Sequence, residues 1–310
     1  MSELRKPFSG VGAPRALGLG WVVVDSVMQL DRVPLEDTKA EAFGSFKQVG
    51  GPVVRALSVL ASLGIQSDLI GQVGDDGLGR FALESLDRRG IGSRLIRSEF
   101  GAITRHAQVW LSTESGSRTI VYHRGDLPNL GVQPGLPEVA QKSNILLFDG
   151  RDLSAAYALA QSVPDDVCVV IDAGGWKAGL EQLAARATVL ILSASAFSLG
   201  PEGPASALSF AEDLVASKSI EAVIVTAGSN GTALVRPHTP TVTVPAVRVK
   251  VVDSNGAGDV YFGGVAFGLL RGLSIEDAAH FAATLAAISC RFLGDSFLMD
   301  AEFAALGDQA

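Results

Sequence analysis

Hydrophobic positions along this chain gather into short, near-continuous runs, with helix-like segments between them. The runs at 16–24, 67–73, 144–148, 167–172, 188–192 and 222–227 lack the alternation of a half-buried strand. That predicts parallel strands covered on both faces. Between them, 53–63 reads as a helix stopped by Gly64, 79–89 as a helix closed by Gly90, and 154–162 as another. A β-rich stretch at 240–252 precedes an apolar helix expected at 261–270. Strands and helices alternating in this way predict an α/β fold with a doubly wound, mostly parallel sheet.

Two segments break the rhythm. Residues 28–49 alternate in character, through Val27, Gln29, Asp31 and Val33 and then Ala42, Gly44 and Phe46. Residues 104–123 alternate more clearly around Glu114, Ser115, Gly116 and Ser117, which predicts a β-hairpin. Both segments leave and rejoin the α/β pattern. We expect a single domain over 1–310, with insertions at about 27–49 and 102–124 paired into one small β-sheet that serves as a lid. Edge strands of the main sheet are the alternative.

Composition narrows the function. Apolar residues make up 47% and charged residues 19%, enough for a large core. The net charge is −8, without a block of five like charges, which disfavours nucleic-acid and anionic-membrane partners. Apolar runs all fall short of the roughly 18 residues of a membrane span. The first residues mix charge, Pro and Gly and do not read as a signal peptide. Cys168 and Cys290 lie in apolar segments, so buried free thiols and a cytoplasmic setting are expected. Two cysteines and four scattered histidines predict no metal cluster.

The most informative stretch is Val252, Asp253, Ser254, Asn255, Gly256, Ala257, Gly258 and Asp259. A Gly-Ala-Gly loop that opens a helix aims backbone N–H groups at whatever lies above it, and the helix dipole favours negative charge there. A carboxylate fixed beside such a site works against anion binding, so Asp259 needs a separate role. A base that takes a proton from an alcohol while the amides hold phosphate would supply one. A helix N-terminal acid serving only the dipole is the ordinary reading.

Three other motifs precede this one: Gly20 to Asp25, where a strand ends in a carboxylate; Gly50-Gly51-Pro52, opening a helix; and the glycine-rich run Gly71 to Gly79. In these the chain resembles the ribokinase/PfkB family of sugar kinases, from about residue 16 to 293. The last motif is similar to the family signature Asp-Thr-x-Gly-Ala-Gly-Asp, with Ser254 for Thr and Gly263-Gly264 following.

The resemblance implies a ribokinase-like fold, ATP with Mg2+ and a small-molecule sugar substrate; the exposed edges of a projecting lid predict a homodimer formed through it. It implies that Asp259 is the catalytic base and that the amides of Gly256, Ala257 and Gly258 hold the transferred phosphoryl group. It implies that Asp25 holds sugar hydroxyls and that Gly50 and Gly51 let backbone approach the sugar. The loop containing Thr226, Gly228 and Gly231 would lie along ATP, with Ser193 on the same side. Ordinary readings stand beside these. Asp75 and Asp76 read as ordinary turn residues, and a strand-end turn for Asp25 and a simple helix entry for Gly50-Gly51 are the alternatives. His106, His123, His238 and His280 read as surface or packing residues. Trp21, Trp110 and Trp176 read as core.

Two departures from the family are visible. Arg55 stands where most members place an Asn that binds sugar hydroxyls, and Ser193-Ala194-Ser195-Ala196 replaces Asn-x-x-Glu. The run Gly116 to Tyr122, and Asp149-Gly150-Arg151, look like the ketohexokinase branch; Gly-Gly-Pro and Lys39 are similar to sulfofructose kinases. An Arg offers a fork for an anion. We therefore expect Arg55, Lys39 and Arg151 to meet an acidic group on a ketose-like or acidic sugar whose primary hydroxyl is phosphorylated. Pairing of Arg55 with an acid on its own helix face is the alternative. The rivals in function are a nucleoside kinase of the same family and a non-catalytic sugar-binding pseudokinase. A dinucleotide-dependent oxidoreductase is disfavoured because no Gly-x-Gly-x-x-Gly follows the first strand.

Overall fold

The apolar runs become strands of one large sheet in the computed structural model, which describes residues 13–114, 117–198, 205–217 and 220–308. In chain order the strands are β1 (Arg15–Leu19), β2 (Val23–Leu30), β3 (Gly44–Gly50), β4 (Gln66–Gly74), β5 (Ile91–Glu99), β6 (His106–Ser112), β7 (Arg118–His123), β8 (Ile145–Phe148), β9 (Cys168–Gly174), β10 (Val189–Ser193), β11 (Ala222–Thr226), β12 (Thr232–Val235) and β13 (Val242–Val244). The helices are α1 (Pro52–Ser62), α2 (Gly77–Arg88), α3 (Leu136–Ala140), α4 (Leu153–Ser162), α5 (Leu180–Ala184), α6 (Ala194–Ser198), α7 (Ala205–Ser217), α8 (Ala257–Leu270), α9 (Ile275–Ser289) and α10 (Ala301–Ala305).

The nine-stranded sheet runs β13-β12-β11-β10-β9-β8-β1-β4-β5. Its pairs are parallel except β11–β12 and β12–β13, which are antiparallel. Successive residues of one strand feed opposite cores. Ile145 and Leu147 of β8 pack with α1, α8 and α9, whereas Leu146 and Phe148 pack with α4 and α5. That is why the strands read as continuous apolar runs. Helix α8 is buried on all sides, and its glycines let the neighbours close in. A Cβ on Gly263 would lie 2.9 Å from the Ala56 carbonyl oxygen of α1, and one on Gly264 would lie 2.7 Å from Ala282 Cα of α9.

The second sheet has four strands in the order β3-β2-β6-β7. Strand β2 pairs antiparallel with β3 and parallel with β6, and β6–β7 is the expected hairpin. The two alternating segments therefore form one separate small sheet. The hairpin residues Ser115 and Gly116, and the first twelve residues, lie outside the described residues.

Four expectations are corrected. The run at 16–24 is two strands, because β1 ends at Leu19 and β2 starts at Val23 in the other sheet. Val22 and Val24 are fully buried where the sheets meet, so the apolar pattern crosses the break unmarked. The stretch at 240–252 holds only the short β13; Val247, Val251 and Val252 are exposed. Edge strand β5 escapes the pattern because its residues are mostly half-exposed. Cys168 and Cys290, expected to be buried thiols, are only partly buried.

Candidate active site

Helix α8 packs against β8 and β9, and Asp172 of β9 lies close enough to Asp259 at the start of α8 for their charges to interact. Asp253 holds the loop before that helix. Its Oδ1 accepts from the Asn255 amide at 2.8 Å and its Oδ2 from the Gly294 amide at 3.0 Å. Gly256 is the N-cap of α8, with φ of 81°, and provides no side-chain cap. The opening N–H groups of a helix lack intrahelical partners. Of the predicted amides, Ala257 donates only a long 3.4 Å bond to the Ser254 carbonyl. A Cβ on Gly258 would meet nothing within 4 Å, so open space lies beside the loop.

Asp259 sits in the first turn of α8 and is 22% exposed. Its Oδ2 accepts from Arg55 Nη1 at 3.1 Å. Arg55 Nε donates to Asp295 Oδ1 at 2.8 Å, and Asp295 Oδ2 accepts from Arg89 Nη2 at 2.8 Å. Arg55 is only 3% exposed, and its Nη2 has no partner. Burial pushes the Asp259 carboxyl above its ordinary value, and the Arg55 charge pulls it back. Burial works against the Arg55 charge, and the carboxylates of Asp295, Asp259 and Asp25 more than restore it.

Asp25 faces Gln48 across β2 and β3, and Gly50 lies against its carboxylate: a Cβ there would come within 2.6 Å of Oδ2. Burial pushes Asp25 up to about 6, opposed by Arg55. Gly51 has φ of +113°, and any Cβ would run into the Trp21 carbonyl oxygen. The fold thus gathers Asp25, Gly50, Gly51, Arg55 and Asp259.

Arg55, Lys39 and Arg151 do not converge as expected. Arg55 is committed to Asp259 and Asp295. Those acids come from α8 and from the turn Gly294–Met299, so the own-helix alternative fails as well. Lys39 is exposed on the connection between β2 and β3, and no ion pair holds it among the described residues. Arg151 lies 4.5 Å from the Trp21 ring centroid, alongside Arg105 at 4.4 Å and Arg124 at 5.4 Å. Asp149, beneath them, accepts from the Trp21 amide at 2.9 Å and the Arg151 amide at 3.0 Å. Trp21 is therefore not a core residue but a half-buried platform for arginines.

On the opposite side Ser193 and Thr226 are register partners across β10 and β11. Ser193 Oγ contacts Ser195 Oγ at 2.8 Å. Thr226 Oγ1 donates to the Leu192 carbonyl at 3.2 Å. Gly228 and Gly231, with φ of 57° and 85°, shape the turn that follows, and the Ala227 amide donates to Gly231 at 2.8 Å.

Sequence reading missed Asp172, at the end of β9. Burial, followed by the charge of Asp259, pushes its carboxyl up to about 7. The available clue was the one used for Asp25, an apolar run ending in Asp. It also missed Asp295, which sits in a polar turn without a motif, and Arg118, whose Nη1 reaches Ser254 Oγ at 3.5 Å from the small sheet. Other residues keep ordinary roles. Asp76 caps α2 through the Gly79 amide at 2.7 Å and accepts from Thr104 Oγ1 at 2.6 Å. His106 stacks on His123, and Trp176 packs on Phe210.

The family described as pfkB family carbohydrate kinase matches residues 20–301. The ribokinase of Arabidopsis thaliana is 25% identical over 94% of this chain and 81% of its own length. The ketohexokinase of Mus musculus is 24% identical over 90% of this chain and 96% of its own. The solved structure of Arabidopsis thaliana ribokinase complexed with ribose and ATP superposes with a TM-score of 0.75 at 24% identity, covering 91% of this chain and 94% of that one.

Proposed function

Because the chain belongs to the pfkB family of carbohydrate kinases, whose members are ATP-dependent phosphotransferases, we propose that Asp259 is its catalytic base and that the loop Gly256 to Gly258 holds the phosphoryl group in transfer to a primary sugar hydroxyl. One observation carries this reading. The only acid in the first turn of α8 is Asp259, beside uncapped amides and open space, and buried Arg55 fixes its orientation.

Asp259 takes the proton of the sugar hydroxyl as that oxygen attacks the γ-phosphorus. The bond to the bridging oxygen breaks and the nucleoside diphosphate leaves. Donors aimed at the developing charge contribute about 3 kcal/mol each, and a positioned base about 10²- to 10⁴-fold. Asp25, Gly50 and Gly51 would orient the sugar, and Ser193, Thr226, Gly228 and Gly231 would line the nucleotide.

Magnesium, when bound, would neutralise the triphosphate charge. Asp172 would face it as a carboxylate: burial, and after it the charge of Asp259, pushes its carboxyl up, and a cation would offset both. One or two carboxylates with the phosphates suffice for that ion. The small sheet would serve as the lid that excludes water, and Arg118 already reaches the anion loop from it. Strand β7 is exposed along its length, so a homodimer covering this edge is part of the proposal.

A nucleoside kinase of the same family is the second reading, since the spacing of the motifs does not separate the two. ATP-coupled turnover across ketoses, acidic sugars and nucleosides tests both. Turnover of sugars supports the first reading and turnover of nucleosides the second. Binding without turnover of any of them would favour a non-catalytic sugar-binding protein.

A further inference from the structure

Four cations gather near the C-terminal ends of β8 and β9, and the carboxylates near them, Asp149, Asp152 and Asp172, make no ion pair with any of the four. Arg105 and Arg151 lie 4.4 and 4.5 Å from the Trp21 centroid, and Arg124 at 5.4 Å. Lys177 Nζ lies 3.3 Å from where a Cβ on Gly150 would stand, next to Arg151. Among the described residues no hydrogen bond or ion pair holds any of these side-chain heads. The nearest carboxylates are spent elsewhere. Asp149 uses both oxygens on backbone amides, and Asp152 Oδ1 accepts from the Leu130 amide at 3.4 Å.

Arg105 is the telling member. It is 5% exposed, and its Nε is buried with no partner. Trp21 Nε1 beside it is also buried and unpartnered. Burial pulls the Arg105 guanidinium down, the charges of Arg124 and Arg151 add to this, and Asp152 and Asp149 offset only part. Burial and then Arg151 act on Lys177 in the same direction. A desolvated guanidinium without a partner is costly, and such costs persist where a ligand repays them.

The cluster adjoins the phosphoryl-transfer site. The Trp21 carbonyl abuts Gly51, and the Gly51 carbonyl accepts the Arg55 amide at 3.0 Å. Arg55 in turn holds Asp259.

We propose that Arg105, Arg124, Arg151 and Lys177 seat a negatively charged group at the end of the sugar remote from the reacting hydroxyl, so that the substrate is an anionic sugar. Arg offers a planar fork that takes carboxylate, sulfonate or phosphate bidentately. The word substrate rests on the kinase reading; the anion seat does not.

The test uses fructose, fructose 6-phosphate, 6-deoxy-6-sulfofructose, 2-keto-3-deoxygluconate and inorganic phosphate as probes. In the Asp259→Asn protein, at least one anionic sugar should raise Tm at concentrations where fructose and inorganic phosphate do not. Arg151→Gln and Arg105→Gln should weaken that binding about tenfold to a hundredfold, the worth of one charge-assisted hydrogen bond. Arg151 is half-buried, so its variant carries the test if Arg105→Gln does not fold. In the wild type, kcat/KM for the same anionic sugar should exceed that for fructose by a similar factor, and Arg151→Gln should erase the difference. Equal preference for neutral and anionic sugars overturns the inference while the kinase reading stands. Phosphate binding that matches the anionic sugars and is lost in Arg151→Gln also overturns it, since the seat, and not the amides of Gly256 to Gly258, would then take a free anion. Anion-dependent binding without turnover leaves the seat in place and removes the kinase reading.

Discussion

Arg55 Nη1 donates to Asp259 Oδ2 at 3.1 Å while Arg55 Nε donates to Asp295 Oδ1 at 2.8 Å, so one buried guanidinium joins the proposed base to a distant turn. Asp295 is held from its other oxygen by Arg89 at 2.8 Å. The base is thus aimed by a chain of charges, and only Asp259 meets the open space beside the loop.

Asp259→Asn should keep this chain, because the amide oxygen still accepts from Arg55. Fold and ATP binding are expected to be retained, with kcat reduced at least about a hundredfold. Melting temperature, nucleotide titration and turnover on one purified sample decide it. Wild-type-like turnover would remove Asp259 as base.

Arg55→Met tests the chain from its centre. Removing one partner of a buried pair typically costs about 3–5 kcal/mol, because the other charge is left uncompensated. Here Asp259 loses its partner and Asp295 keeps only Arg89, so Tm should fall clearly. Arg55→Lys keeps the charge and gives up the fork, and should recover part of the Tm. Arg55 also pulls the Asp259 carboxyl down, against burial. In Arg55→Met the acid limb of the kcat profile should therefore move to higher pH, and in Arg55→Lys it should move less. An unmoved limb would mean that Asp259 does not set it.

The carboxylates of the site give stability a definite pH dependence. Asp25 is pushed up to about 6 and Asp172 to about 7, both chiefly by burial. A raised folded-state value means the folded protein binds these protons more tightly than the unfolded chain. Their contribution is therefore full below about pH 4 and is lost as pH rises to about 7. Asp172→Asn should raise Tm at pH 8, with little effect at pH 4. A Tm gain that is equal at both values would contradict the shift.

Much of this site was legible in the sequence, and the reasons for the exceptions are physical. Asp259 and its glycines were readable because a tight loop and a helix start impose local residue types. Asp25, Gly50 and Gly51 were readable through the resemblance; Gly50 lies against the Asp25 carboxylate and Gly51 against the Trp21 carbonyl, and neither contact leaves room for a Cβ. The partner of Arg55 was not, since Asp295 lies 240 positions away and only the tertiary fold brings them together. The Trp21 cluster was hidden for the same reason: its cations come from the end of β8, the start of β6 and the segment after β7. The break between β1 and β2 was hidden because both strands enter one core.

The small sheet should also mediate association. Ile120, Val121 and Tyr122 of β7 are 45%, 58% and 59% exposed on an unpaired edge. Light scattering at micromolar concentration is expected to give a dimer, and Val121→Lys to give a monomer with Tm little changed, since charge on an edge strand opposes pairing. A monomeric wild type would end this proposal.

Two glycines separate backbone strain from steric conflict. Gly51 and Gly64 both have positive φ, +113° and +84°. A Cβ on Gly64 meets nothing within 4 Å, whereas one on Gly51 meets the Trp21 carbonyl. Gly64→Ala should cost only the conformational penalty, about 1–2 kcal/mol, with kinetics unchanged. Gly51→Ala should cost more and, by displacing Trp21 and the entry to α1, raise the sugar KM while sparing that for ATP. Equal stability losses with equal, wild-type kinetics would show that Gly51 serves the turn alone and that backbone approach to the sugar is not its purpose.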